Sequence, residues 1–179
     1  MKRDWIEKDR TLMKVCSILE TCAKAYSVEI KSVVLYGSKA RGEMRTSNDY
    51  EIIFLIDNDI STNIYVKLIN TIRIEFLKEK LQAVNLLIYT PEIFEDILYN
   101  DELVGTFLYM LCKENIIIYD NKGTFTAIKE KVTSNTIKKE EEFINQCINF
   151  AKMMGSNKWE QKWEKVLMQY RYLNRRRNY

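Results

Sequence analysis

The sequence predicts an α/β (α+β) fold in which a small mixed sheet carries flanking helices and is followed by a C-terminal helical hairpin. Short β-branched runs alternate with amphipathic segments through residues 30–120, a pattern typical of a mixed sheet with helices packed on it. Beyond residue 132 only helical periodicity remains. The chain therefore divides into a domain over residues 1–132 and a helical extension with a basic tail over residues 133–179.

The elements of the domain follow from periodicity and from capping residues. Apolar side chains at three-to-four spacing predict helices, and short apolar runs halted by Gly, Asp-Asn or Thr-Pro predict strands. In chain order we expect a helix over residues 5–26, strands over 30–36 and 51–56, a helix from Ser61 or Thr62 to about residue 81, a strand over 84–89, helices over 92–99 and 102–113, and a strand over 116–119.

The extension shows two amphipathic stripes separated by Gly155-Ser156-Asn157. Each stripe predicts one helix, and the break between them predicts a hairpin docked on the first domain or on a partner. The first stripe consists of Phe143, Cys147, Phe150, Ala151 and Met154, and the second of Trp159, Trp163, Val166, Leu167 and Tyr170.

Charge and histidine content exclude several classes of function. The 28 Lys and Arg residues barely exceed the 25 Asp and Glu residues, so the net charge of +3 does not point to nucleic acid or to a membrane surface. The chain contains no histidine, which excludes a Ser-His-Asp triad, a Cys-His pair, a His-ligated zinc site and a histidine general base. Any chemistry must use carboxylates, Lys, Arg, Tyr, Ser or Cys.

Cysteine usage and hydropathy favour a cytoplasmic protein. The four cysteines form no CxxC pair, and most lie in apolar stretches of the expected helices, so we expect buried thiols in a reducing compartment. The N-terminus lacks the apolar run of a signal peptide, and no later stretch approaches a membrane span. We expect no contact with a membrane.

The turn at Gly37-Ser38 is a candidate phosphate site. An apolar strand ends there, and a short helical turn is expected to begin, which presents unpaired backbone N–H groups. Gly37 lets a phosphate approach the backbone, and the Ser38 hydroxyl adds a donor. Lys39, Arg41 and Arg45 can supply positive charge nearby.

Two acids follow the turn at alternate positions of the next strand. Asp49 and Glu51 share a face because strand side chains repeat every two residues. Paired carboxylates beside a phosphate site are suited to Mg²⁺ with a nucleoside triphosphate, and in two-metal sites the ions lie about 3.5 to 4 Å apart. The alternative is an edge strand with two solvated acids. The pattern favours attack on an α-phosphorus with release of pyrophosphate.

This arrangement resembles the signature of minimal nucleotidyltransferases of the DNA polymerase β superfamily: Gly-Ser, ten residues, an acid, any residue and a second acid, with Ala40-Arg41-Gly42 embedded. The resemblance covers residues 30–120 and implies the polymerase β-like fold. It implies that Gly37, Ser38 and Arg41 bind the nucleotide. It also implies that Asp49 and Glu51 are catalytic and, with Asn85 at the position of a third acid, bind two Mg²⁺ ions.

Proteins of this kind differ in their acceptors, so the acceptor class stays open. Single-domain members resemble antitoxins that adenylylate a partner toxin, and related domains transfer nucleotides to antibiotics or to RNA. The resemblance therefore implies transfer of a nucleoside monophosphate, AMP, to a protein, a small molecule or an RNA. It does not extend to the C-terminal hairpin, through which a protein partner can bind.

Two departures from the family pattern support a second hypothesis. Glu51 and Asn85 stand where the family usually has aspartate, and an amide carries no charge and cannot act as a general base. A catalytically degenerate module that binds a nucleotide or a partner is therefore the alternative. A third hypothesis is RNA binding through the basic tail, where Arg171, Arg175, Arg176 and Arg177 are interleaved with tyrosines, although a disordered solubilising tail also explains that composition.

Overall fold

The computed structural model describes residues 8–40, 42, 49–100, 108, 111–133 and 138–177. Residues 108 and 111–113 are helical. The other elements are α1 (Arg10–Ala25), β1 (Ile30–Tyr36), α2 (Gly37–Ala40), β2 (Tyr50–Ile56), α3 (Thr62–Lys78), β3 (Val84–Tyr89), α4 (Pro91–Asn100), β4 (Asn115–Asp120), a 3-10 turn (Asn121–Gly123), α5 (Thr124–Thr133), α6 (Lys138–Met153) and α7 (Asn157–Arg177).

The four strands form one mixed sheet in the order β3-β2-β1-β4. Strand β1 is antiparallel to both β2 and β4, whereas β2 and β3 are parallel and are joined by α3, as a parallel pair requires a crossover. The end of β1 therefore lies beside the start of β2, and the start of β2 lies beside the start of β3. This mixed sheet with flanking helices confirms the predicted fold class.

Helices cover both faces of the sheet. Strands β1 and β2 are buried over their last five residues, because alternate side chains enter two different clusters. On one face Val33, Leu35 and Phe54 pack with α1 and α3. On the other face Val34 and Ile53 pack with apolar side chains of α4 and α5. The two central strands, β1 and β2, are thus covered by helices on both faces of the sheet.

Two helix ends differ from the prediction for identifiable reasons. Helix α1 begins at Arg10, since the Asp9 carboxylate accepts a hydrogen bond from Leu12 N at 3.0 Å and caps the helix. Helix α3 begins at Thr62 with Ser61 as its cap, but it ends at Lys78, about one turn early. Lys80 has φ +56°, a left-handed conformation that cannot continue the helix.

Helix α5 was not predicted as a separate element. The Asp120 carboxylate accepts hydrogen bonds from Phe125 N at 2.8 Å and from Thr126 N at 3.0 Å, and these bonds fix the first turn. Phe125, Ile128 and Val132 then enter the core cluster on the α4 side of the sheet. The Asp-Asn-Lys-Gly turn therefore leads directly into a packed helix.

Helices α6 and α7 form the predicted hairpin with a small apolar core of their own. Phe143, Ile144 and Ile148 are buried there and pack against side chains that include Trp163 and Leu167. The predicted stripes were wrong at the bend, where Phe150, Met154 and Trp159 are exposed. Two packed helices bury only the faces that they turn to each other, and α6 ends at Met153, shortly before Gly155 at φ +64°.

Within the described part of the chain, no helix is both long enough and apolar enough to cross a bilayer.

Candidate active site

The turn after β1 depends on a glycine at position 37. Gly37 has φ +74°, which residues with a Cβ atom adopt only at a cost. A Cβ atom at this position would also overlap with Glu51 Oε2 and would lie 2.6 Å from Glu51 Cδ. Gly42, at φ +82°, has no atom of the described residues within 4 Å of the corresponding position. Position 37 therefore requires glycine for two reasons: the positive φ of the turn, and the close approach of the Glu51 side chain.

The Glu51 carboxylate lies on the Gly37 backbone, and none of the described residues is its hydrogen-bond partner. The β1–β2 register places Glu51 opposite Tyr36, the residue that precedes Gly37. Among the residues that the structure describes, none donates a hydrogen bond to this carboxylate or forms an ion pair with it. Partly buried carboxylates are normally hydrogen-bonded, because burial without a partner is costly. Within the described part of the chain, both carboxylate oxygens therefore have unused capacity to accept hydrogen bonds.

Asn85 lies beside Glu51 on the neighbouring strand. The parallel β2–β3 register pairs Glu51 with Asn85, and directly paired residues place their side chains on the same face. Asn85 is exposed, as is Asp49, which immediately precedes β2. Alternation along an extended chain directs Asp49 to the side of Glu51. Gly37, Asp49, Glu51 and Asn85 thus belong to one end of the sheet.

The Ser38 hydroxyl is buried and has no hydrogen-bond partner in the described structure. A buried hydroxyl without a partner costs about 1 to 3 kcal/mol. A native structure retains such a group where a bound molecule supplies the missing partner. An acceptor oxygen brought to this turn would satisfy the Ser38 hydroxyl.

Tyr36 is a neighbour of this site that the sequence motif does not reveal. Burial raises the pKa of its phenol, and the negative charge of Glu51 and then Tyr89 raise the pKa further. The phenol therefore stays protonated at all physiological pH values, and Tyr36 adds no charge beside the acid. The proximity of Tyr36 to Glu51 follows from strand register, which residue spacing alone does not give.

Lys39 does not supply charge on the face that carries Glu51, contrary to the expectation from the sequence. Its ammonium lies 4.2 Å from the centroid of the Tyr50 ring. Tyr50 packs with the α1 and α3 cluster, on the opposite face of β2 from Glu51. Arg41 and Arg45, the other two candidate cations, lie outside the described residues.

The oxygen ligands at this end of the sheet fit Mg²⁺ better than a transition metal. Within the described residues, no group of three or more His, Cys, Asp and Glu side chains is arranged to hold a metal. Mg²⁺ commonly uses only one or two carboxylates and completes its shell with water and substrate phosphates. Asp49 and Glu51, with the Asn85 amide oxygen, offer that kind of ligand set.

One of the comparisons with known proteins, a family model, agrees with the motif. No curated protein matches the chain. One similar solved structure, described as "Crystal structure of the toxin-antitoxin with AMP-PNP", shares 12% identity over 66% of this chain and 83% of that chain, with a TM-score of 0.41. A family model described as "Polymerase beta, Nucleotidyltransferase" matches residues 17–107, just over half of the chain, and these residues contain the turn, both acids and Asn85. The chain therefore belongs to the polymerase β nucleotidyltransferase family.

Proposed function

We propose that this protein is a Mg²⁺-dependent nucleotidyltransferase that transfers AMP from ATP to an acceptor. The observation that carries the proposal is the position of the Glu51 carboxylate, which lies on Gly37 and has no hydrogen-bond partner among the described residues. An acid held in this way at the end of a glycine turn is suited to bind a cation together with a phosphate.

Each predicted residue has a distinct part in this proposal. The Gly37 backbone and the Ser38 hydroxyl bind the triphosphate, since the hydroxyl lacks a partner in the described structure. Asp49 and Glu51 hold Mg²⁺, and Asn85 beside Glu51 adds a neutral oxygen. Arg41, which lies outside the described residues, is proposed to contact the triphosphate on the strength of the family resemblance alone.

Nucleotide binding should depend strictly on the metal. The Glu51 carboxylate lies where a phosphate would approach Gly37, and two like charges in contact repel each other. Mg²⁺ would neutralise the carboxylates and the triphosphate together and would make the α-phosphorus more electrophilic. Without a divalent cation we expect ATP not to bind at this turn.

The reaction is an in-line displacement at the α-phosphorus. The acceptor oxygen forms a bond to that phosphorus, the bond to the bridging oxygen breaks, and pyrophosphate leaves. The acceptor proton passes to Asp49, to Glu51 or to water, because the Asn85 amide cannot accept a proton. The acceptor is a protein, a small molecule or an RNA.

Isotope transfer tests the proposal directly. ATP labelled at the α-phosphorus should label an acceptor in the presence of Mg²⁺, and ATP labelled at the γ-phosphorus should not. Asp49→Ala should reduce transfer by about 100-fold or more, since it removes a metal ligand. Asp59→Ala is the matched control, because Asp59 is also exposed but follows the opposite end of β2. Equal transfer by wild type and Asp49→Ala would contradict the proposal.

A second candidate is a member of the family that binds a nucleotide or a partner without catalysis. Asn85 favours it, because it leaves Glu51 beside an amide where a third acid would lie. This candidate predicts Mg²⁺-dependent ATP binding by calorimetry with no label transfer to any acceptor. Asn85→Asp would then be expected to generate transfer, whereas a wild-type protein with robust transfer excludes this candidate.

The C-terminal hairpin is the surface through which we propose that a protein partner binds. Several large apolar side chains are exposed near its bend: Phe150, Met153, Met154 and Trp159. Clustered exposed apolar side chains are typical of interaction sites. Met154→Glu should weaken pull-down of an identified partner and leave the unfolding midpoint unchanged, because Met154 is already exposed.

A further inference from the structure

A pocket of about 310 Å³ opens on the reverse face of the sheet end that carries Glu51. Its lining includes Thr11 of α1, Lys39 of α2, Tyr50 of β2 and Lys80 from the turn before β3. Tyr50 alternates with Glu51 along β2, so the pocket and the candidate active site lie on opposite faces of the same strand. The nucleotidyltransferase proposal does not use this pocket.

Lys39 is the unusual residue of the pocket, because its charge is buried and none of the described residues supplies a counter-ion. The side chain is only 9% exposed, and buried lysines normally pair with a carboxylate. Among the described residues, Lys39 forms no ion pair and no hydrogen bond, and its ammonium contacts the Tyr50 ring instead. The ring face attracts a cation but does not neutralise it. The pocket thus contains an ammonium that no described residue engages as a hydrogen-bond donor.

The other polar groups of the pocket increase its positive character. Lys80 is exposed, and it too forms no ion pair within the described part of the chain. None of the described residues that line the pocket is acidic. The nearby acid, Asp9, accepts hydrogen bonds from Tyr50 Oη at 2.8 Å and from Leu12 N at 3.0 Å, so its carboxylate is already engaged at the hydroxyl end of the ring.

We infer that this pocket binds a small anion that carries a phosphate group. A phosphate offers several strong acceptor oxygens, enough to engage both ammonium groups at once. Leu81 and Val84 form an apolar wall beside them, and such a wall limits the access of water and strengthens the attraction between charges. The volume suits a ligand from inorganic phosphate up to a mononucleotide.

This site needs no divalent cation, and that separates it from the proposed active site. Its lining carries positive charge, whereas Asp49 and Glu51 on the other face are acids that require a metal before a phosphate can approach. Binding measured in EDTA therefore reports the pocket alone. Failure of the proposed enzymatic function would leave this inference intact, and the reverse also holds.

Isothermal titration calorimetry in EDTA tests the inference, with inorganic phosphate, pyrophosphate and AMP as the three probes. We expect at least one probe to bind at sub-millimolar to millimolar Kd. Lys39→Met introduces an unbranched side chain that is one atom shorter and carries no charge, so it should weaken binding by about tenfold or more. Lys80→Met should weaken it by about three- to fivefold, because Lys80 is exposed to solvent.

Lys67→Met is the matched control, since Lys67 is an exposed lysine of α3 that does not line the pocket. It should bind each probe with wild-type affinity. Lys80 is exposed, so Lys80→Met keeps the test valid if Lys39→Met does not fold. The inference is overturned if no probe binds the wild-type protein, or if Lys80→Met and any folded Lys39→Met bind as tightly as Lys67→Met.

Tighter binding of AMP than of phosphate identifies a nucleotide as the source of the phosphate group, and the reverse order identifies free phosphate or pyrophosphate.

Discussion

Asp120 on β4 and Glu51 on β2 are carboxylates that lie on either side of β1, the first paired with Ser32 and the second with Tyr36. Asp120 accepts hydrogen bonds from the Ser32 hydroxyl and from the backbone and hydroxyl of Thr126, at 2.6 to 3.0 Å, and another from Phe125 N. Glu51 accepts none from the described residues. The difference separates an acid that holds the fold together from an acid that we propose binds a ligand.

The electrostatics of Asp120 follow from those contacts. Burial by itself would raise the pKa of its carboxyl, but the hydrogen bonds from Thr126, Ser32 and Phe125 outweigh burial and lower the pKa overall. Because these donors join β4 to β1 and to α5, ionised Asp120 stabilises the folded state. Glu51 makes no comparable contribution, so its replacement should affect activity and not stability.

Glu51→Gln gives the largest effect that we expect. The substitution preserves shape and removes the negative charge, so label transfer from ATP should fall by about 100-fold or more. The free energy of unfolding in urea, without nucleotide, should stay within about 0.5 kcal/mol of wild type, since no hydrogen bond is lost. A loss of stability without a loss of transfer would reverse the roles assigned to the two acids.

Gly37→Ala should destabilise the protein by about 2 to 4 kcal/mol, because the new Cβ combines an unfavourable φ with overlap against Glu51. Chemical denaturation measures this cost. Gly42→Ala is the control, with a similar φ and nothing within 4 Å, and it should cost only about 1 kcal/mol.

The overlap itself can be isolated with Glu51→Ala. In the Glu51→Ala background, the overlap is absent, so Gly37→Ala should destabilise the protein only through its unfavourable φ. The effects of the two substitutions on the free energy of unfolding should therefore be non-additive. Additive effects would show that the Glu51 side chain does not lie on Gly37 in solution.

Asp120→Asn should cost about 1 to 2 kcal/mol at neutral pH, because the amide cannot accept every hydrogen bond that the carboxylate accepts. The folded-state pKa of Asp120 is lowered, so its contribution is present above the unfolded pKa of about 3.9 and is lost as pH falls through the folded pKa. Urea titrations at neutral and acidic pH should therefore show the wild-type advantage shrinking in acid. Asp59→Asn, at an exposed turn, is the control and should change the free energy of unfolding at neutral pH by less than about 0.5 kcal/mol.

Much of the sheet could be predicted from local sequence. The β-branched run of β1 stops at Gly37, and Pro91 begins α4, so strands β1 and β3 have the predicted bounds. These boundaries depend on residues adjacent in the chain. The Gly-Ser turn and the spaced acids were likewise visible as a motif, although their catalytic roles remain predictions.

Features set by tertiary contacts could not be predicted. The Lys39 ammonium lies on one particular face of the sheet because it contacts the Tyr50 ring. Helix α5 begins where it does because its first turn donates hydrogen bonds to Asp120, the last residue of β4. In the hairpin, periodicity marked Met154 as a core residue, but it is 69% exposed. Periodicity identifies an apolar stripe and cannot show where the partner helix stops covering it.

The mixed pairing of β2 has a consequence for the order in which this site assembles as the chain folds. Tyr36 and Glu51 meet through an antiparallel pair that is close in sequence, whereas Glu51 meets Asn85 only after α3 has crossed from one strand to the next. Closing the longer loop costs more conformational entropy and is slower. We therefore expect the glycine and the first acids to come together early, and Asn85 to reach them in a later step governed by the docking of α3.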